Sequence, residues 1–199
     1  MNYLAHAYLS FEDADFLAGN MISDFVKGKK KDDYPTGIRN GITLHRAIDT
    51  FTDEHPATQV AKTFFRPVYR LYSGAFVDIV YDHFLANDKS IFNESRLKDF
   101  SARTYEKLQS QLALFPEKFQ RLFPYMKMQD WLYHYRYEKG IENSFGGLVR
   151  RAKYLNESDE AFSIFKTHYT SLQECYEVFF PQLESHSRTF FDQLKRTST

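Results

Sequence analysis

The sequence predicts an all-α fold, and three observations predict it. Apolar residues recur at helical spacing through most of the chain, and strand-type alternation is sustained nowhere. Turn formers are scarce, with Gly 8 and Pro 6 among 199 residues. That length suits a single helical domain spanning residues 1–199.

The elements follow in order. Phe16, Leu17, Met21, Ile22, Phe25 and Val26 give a first helix from Ala14 to Val26, with Gly28 where a C-terminal cap would sit. A polar loop runs from Lys27 to Pro35. Thr36 is placed to cap a second helix to about Glu54, with Ile38, Ile42, Ile48 and Phe51 inward. A third follows Pro56 and is interrupted at Arg66-Pro67. Ser73 caps a fourth to about Ala86, and Asn87 stops it. Ser95 to Leu114 is a fifth. Pro116 and Pro124 bracket a short helix, and Lys127–Glu138 and Ser144–Tyr154 read as helical. Ser158 opens a long helix to Phe179, and Pro181 starts a last one through Lys195. A flexible tail is expected at Thr197–Thr199.

Composition excludes several classes of function. Lys+Arg and Asp+Glu are 26 each, so no overall basic excess exists to neutralise nucleic-acid phosphates. Aromatic residues at 18% argue against disorder. No apolar run approaches the ~18 residues that span a membrane. The absence of Lys or Arg before Lys27 is unlike the basic start of a signal peptide, so a cytoplasmic location is expected. Cys175 is the one cysteine, which leaves no internal disulfide and no Cys-based zinc site. The zero net charge is an average over unlike segments. Residues 1–26 sum to −4 and residues 27–46 to +4.

The chemistry-bearing residues gather in the N-terminal half. His45 and Asp49 lie four apart, as do Asn20 and Asp24, and Asp78 and Asp82, so each pair shares a helical face. His83 adjoins Asp82, and His6 sits in an apolar setting. Any one His–Asp pair is ordinarily a local ion pair. Asp78 and Asp82 are harder to explain so, because Val77, Ile79, Val80, Phe84 and Leu85 surround them and lone buried charges are costly. A divalent cation or Arg46 would answer their repulsion. Mixed His and carboxylate donors suit Mn²⁺, Fe²⁺ or Mg²⁺. The basic run Lys27, Lys29, Lys30, Lys31 is either a solvated loop or a lip for an anionic substrate. Lys62, Arg66 and Arg70 add a second cationic strip. The stripe Trp131–Tyr137 is either core or the wall of a groove. His55, His134, His168, His186 and Cys175 have no activating surroundings.

Six motifs in order resemble one family. They are Asn2-x-Leu-Ala-His6, Gly19-Asn-x-x-x-Asp-Phe-Val-x-Gly28, Gly41-Ile-x-x-His-Arg-x-Ile-Asp49, Thr52-Asp53, Phe65-Arg-Pro67 and Asp78-x-x-x-Asp-His-Phe-Leu85. They are similar to the bacterial acyl carrier protein phosphodiesterases, a divergent branch of the HD-type metal phosphohydrolases. The resemblance runs from Asn2 to about Leu85 and continues weakly through Trp131-Leu132 and Arg136. It implies an HD-like helical bundle and a divalent metal, Mn²⁺ first. The implied reaction releases 4′-phosphopantetheine from holo-acyl carrier protein, with no part for nucleic acid or membrane.

On matching positions the implied metal ligands are Asp24, His45, Asp82 and His83, with His6 behind them. The wider superfamily has a His-Asp doublet, whereas this chain has Asp82-His83, so the parts of Asp49, Asp78 and Asp82 stay open. Asp49 or Asp78 would orient water or accept its proton, and Arg46 would bind a phosphoryl oxygen. Lys27, Lys29, Lys30, Lys31 and Arg66 would meet the carrier, and Tyr and Phe side chains would line the pantetheine groove. A phosphohydrolase of nucleotides or other small phosphoesters, and a non-catalytic helical binding module, are the alternatives.

Overall fold

Asn2 opens the structure, a computed structural model describing residues 1–197, by accepting the Tyr3 N–H at 3.0 Å and starting helix α1 (Tyr3–Tyr8). Six residues are too few to show a period, so sequence patterning does not find α1. Tertiary contact forms it. The carboxylate of Asp82, far along the chain, accepts the N–H groups of Asn2, Leu4 and Ala5 at 3.3, 2.7 and 3.3 Å. Those are donors that a helix N-terminus otherwise leaves without partners.

Asp13 caps α2 (Ala14–Ile22) through the N–H groups of Asp15 and Phe16, and receives Lys195 Nζ at 2.9 Å. The expected helix to Val26 tightens into a 3₁₀ turn at Ser23–Phe25. Gly28 then takes φ +58°, and a second 3₁₀ segment, Gly28–Asp33, stands where a loop is expected. Helix α3 (Thr36–Glu54) has the expected bounds, although Pro35 and not Thr36 occupies its cap position.

Helix α4 (Pro56–Tyr69) passes through Pro67, and a 3₁₀ turn at Arg70–Tyr72 leads to α5 (Ser73–Asn87). Asn93 caps α6 (Glu94–Ser110), which ends before the 3₁₀ turn Leu112–Leu114. Helix α7 (Glu117–Met128) contains Pro124. Asp130, left-handed at φ 45°, divides the stretch expected as Lys127–Glu138, and α8 (Trp131–His134) follows. Helix α9 (Glu138–Arg151) starts before the expected Ser144. The last two are α10 (Asp159–Thr167) and α11 (Tyr169–Arg196), so the chain breaks at His168 and not at Pro181.

In α4 and α11 the proline stands on the exposed side. The opposite side carries a buried stripe that holds the helix together across the lost hydrogen bond. In α11 that stripe is Tyr176, Phe179, Phe180, Leu183 and Phe191. Of the expected tail, Thr197 ends α11 with its N–H on Gln193 O, and Ser198 and Thr199 lie outside the described residues.

All described regular elements are helical, as the patterning predicts. One continuous apolar core runs from Met1 to Phe191. Phe65, Phe76 and Phe145 interlock at ring separations of 5.7 and 5.1 Å. No described helix is long and apolar enough to cross a membrane.

Helices α2 and α3 pack backbone to backbone. A Cβ added at Gly19 would lie 2.0 Å from Ile38 O, and one at Gly41 would lie 2.3 Å from Phe16 O. Only hydrogen fits between these backbones. Gly41→Ala therefore forces the pair apart. It is expected to lower stability by about 1–3 kcal/mol, read as a fall in Tm of several degrees.

Asp13→Ala is expected to cost about 1 kcal/mol through loss of the α2 cap. Burial works to raise the Asp13 carboxyl, but Lys195 and the capped N–H groups outweigh it and hold its pKa below the ordinary 3.8. The charge-dependent share of that stability is thus present above the ordinary value and is lost as pH falls through the lowered one. Denaturant unfolding of the wild type and Asp13→Ala should converge in acid.

Candidate metal centre

The contact at Gly19 and Gly41 places Asn20 between two histidines. Asn20 is fully buried and fully bonded. Its Nδ2 donates to His6 O at 2.9 Å and to Ser10 Oγ at 3.1 Å. Its Oδ1 is 2.8 Å from His6 Nδ1, and its main-chain O is 2.8 Å from His45 Nδ1. Both oxygens only accept, so both histidines donate from Nδ1. Each neutral ring therefore presents a bare lone pair at Nε2. The rings stack with centroids 3.9 Å apart.

Carboxylates meet those lone pairs. Asp49 Oδ1 is 3.2 Å from His6 Nε2, and Asp49 Oδ2 is 3.0 Å from His45 Nε2. Asp24 Oδ1 is 3.3 Å from His45 Nε2. Neither buried Nε2 makes a hydrogen bond of good geometry. Two nitrogen lone pairs and two carboxylates converging in this way need a proton or a cation between them. His6, His45 and Asp49 each offer a ligand atom within 4.8 Å of the others, which fits a divalent metal ion. Asp24, with 71% of its side chain exposed, forms the outer edge.

The charges are uneven. Burial, helped by the charge of His45, pushes His6 down to about 4. Burial opposes protonation of His45 as well, but Asp24 and Asp49 outweigh it and raise the ring to about 9. Burial alone would raise the Asp49 carboxyl, yet the Met1 α-ammonium, His6 and His45 hold it far below the usual range. That ammonium lies 3.1 Å from Asp78 Oδ1 and 3.5 Å from Asp49 Oδ1. Burial raises the Asp78 carboxyl, with the ammonium opposing.

The remaining candidates separate. Asp82 and His83 face different surroundings. Successive helical residues point about 100° apart, and these two diverge accordingly. Asp82 faces α1 with both oxygens on its N–H groups, and burial raises its pKa to about 7. His83 points away, with Nδ1 2.8 Å from Tyr135 O and Nε2 3.1 Å from Tyr169 OH. Arg46 donates through Nη2 to Val26 O at 3.0 Å and Gly28 O at 3.5 Å, tying down the start of the basic turn. Lys31 Nζ reaches Thr43 Oγ1 at 3.5 Å, while Lys27, Lys29 and Lys30 are exposed. Arg66 stands on the outer face of α4, 3.5 Å from Gln59 Oε1, and Lys62 pairs with Asp53 at 2.7 Å.

Sequence reasoning did not assign a role to Asn20, although its i,i+4 relation to Asp24 is a visible signal. Nothing in the pattern marks the Met1 amine.

Asn20→Ala should leave the helices intact and weaken divalent-metal binding about 10–100-fold, as losing the group that orients a ligand does. Calorimetric titration measures it. His45 must lose a proton to bind metal, and its pKa of about 9 lies above neutrality. Divalent-metal affinity should therefore rise about tenfold per pH unit from pH 6 to 8.

Residues 1–183 match the acyl carrier protein phosphodiesterase family. The chain is 32% identical over 184 residues to an acyl carrier protein phosphodiesterase of Enterobacter sp. (strain 638), covering 92% of this chain and 95% of that protein. The same coverage holds for the Yersinia pestis protein of that name at 32% identity and the Escherichia coli O157:H7 protein at 30%. No solved structure matches the chain. This chain, with its paired histidines facing Asp49, belongs to the acyl carrier protein phosphodiesterase family.

Proposed function

We propose that the chain works as one phosphodiesterase domain that hydrolyses the bond joining 4′-phosphopantetheine to a serine of holo-acyl carrier protein. The observation that carries this reading is the pair of Nε2 lone pairs of His6 and His45 held over Asp49, in a member of this family. His6, His45 and Asp49 would hold the metal, with Asp24 as a fourth donor, through oxygen, at the edge. Mn²⁺ suits this mixed donor set, with Mg²⁺ and Fe²⁺ as weaker fits. When bound, a divalent metal lowers the pKa of water and offsets phosphoryl charge.

The chain's own groups do the rest. Asp78, made more basic by burial, accepts the proton lost in the attack. Arg46 spends Nη2 on the turn backbone. Its Nη1 and Nε, without protein partners among the described residues, meet a phosphoryl oxygen. Asp82 acts indirectly, by fixing α1 and hence His6. Lys27, Lys29, Lys30 and Lys31 dock the acidic carrier at the mouth of the centre. Arg66 extends that basic surface along α4, and Trp131, 6.2 Å from Tyr3, forms part of the pantetheine wall. A cytoplasmic location and no role for nucleic acid complete the reading.

The test is the intact mass of holo-acyl carrier protein after incubation with the protein and Mn²⁺. Loss of the prosthetic group is expected, and His45→Ala should abolish it. A carrier left unchanged by the wild type would sink the proposal. Replacing Lys29, Lys30 and Lys31 by Ala should slow carrier cleavage and flatten its salt dependence, while a p-nitrophenyl phosphodiester is hydrolysed at nearly the same rate. Equal losses on both substrates would deny the turn a docking role.

A further inference from the structure

A groove of about 300 Å³ lies on the other side of α1. His6 faces the metal centre, and Tyr8, two residues on, is turned about 200° around the helix and faces the groove. The groove is therefore separate from the candidate metal centre.

Its floor is aromatic. Tyr8 packs on Phe92 at 5.7 Å and on Phe100 at 6.5 Å, and Phe92 packs on Phe100 at 5.3 Å. Its rim is cationic. Arg96, Phe100 and Arg103 follow an i, i+4, i+7 stripe along α6, which sets an arginine on either side of the ring. From the facing helix, Arg188 lays its guanidinium 3.5 Å from the centroid of Phe11.

The two carboxylates of the groove do not neutralise these cations. Glu184 Oε1 accepts the Tyr8 hydroxyl at 2.6 Å. Among the described residues the Glu12 carboxylate pairs with Arg103 alone, at 3.8 Å and exposed on both sides, a pairing of little energy. Arg96 and Arg188 have no carboxylate within ion-pair distance among the described residues. Two guanidinium groups without a carboxylate partner thus stand beside a cleft of mutually inclined aromatic rings, in a volume at the lower end of the range for small-ligand sites.

We propose that this groove binds a small organic anion, a carboxylate or phosphate head on an aromatic body. The head takes the guanidinium edges of Arg96 and Arg188, whose fork geometry suits either group. The body lodges against Tyr8 and Phe100, the partly exposed rings of the cleft, in offset or edge-to-face contact. The inference does not rest on the proposed phosphodiesterase chemistry.

Calorimetry on metal-free protein tests it with 2-naphthoate, 2-naphthyl phosphate, uncharged 2-naphthylmethanol and inorganic phosphate. One naphthyl anion should bind per chain, and the tighter of the two identifies the head group. The neutral analogue and free phosphate should bind at least about tenfold more weakly, since each lacks one half of the recognition. Arg96→Leu and Arg188→Leu, both at exposed positions, should each weaken binding about tenfold, and Arg188→Lys by less. His45→Ala should bind the naphthyl anion as the wild type does. Absence of saturable binding by both anions would overturn the proposal. So would equal binding by the Arg96→Leu/Arg188→Leu double variant, or loss of binding in His45→Ala, which would place the ligand in the metal centre.

Discussion

Gly19 and Gly41 face each other where α2 crosses α3, and the distance they permit sets what happens one residue further on. Asn20 is buried there, and a buried amide is tolerated only when its donors and acceptors are met. Every one of its side-chain bonding groups has a partner in α1 or the turn after it, and its carbonyl takes His45 from α3. A wider gap would break the bond to His45 while leaving that to His6. The tautomer of His45, and with it the direction of its Nε2 lone pair, thus follows from a backbone contact that contains no functional group.

Electrostatics then divides the polar residues by what faces them. Asp49 receives the α-ammonium and both rings, and stays ionised in spite of burial. Asp78 shares the ammonium but has no histidine, so burial wins and its carboxyl becomes more basic. Asp82 has three N–H groups and full burial. It serves α1 as a cap supplied from another helix, and α1 in turn carries His6. Three aspartates within two helices therefore have different protonation behaviour and different work.

How much of this was legible in the sequence follows from which forces have a period. His45 and Asp49 are neighbours because 3.6 residues make a turn, and Asn20 and Asp24, also four apart, both reach the centre. Asp82-His83 looked like a unit because it is adjacent, and adjacency on a helix separates side chains. The prolines misled for a related reason. Pro67, Pro124 and Pro181 each remove a hydrogen bond, a local signal, but in α4 and α11 the buried stripe on the other face outweighs it. Helix α1 and the Met1 amine had no local signal at all. They depend on contacts with residues some eighty positions away, which no window of the sequence contains.

The zero net charge takes its meaning from α3. His45 and Asp49 point inward from it, and Arg46, about 100° round, reaches back to Val26 and Gly28. Thr43, on the same helix, meets Lys31. One rigid element thus bears two ligand candidates and both anchors of the basic turn. An acidic partner drawn to Lys29 and Lys30 would be held at a fixed offset from Asp49, with no hinge between the attracting charge and the reacting centre. The ligand candidates and the anchors of the basic turn thus point from different faces of one helix, and the distance between those faces is what a long-armed substrate would have to span.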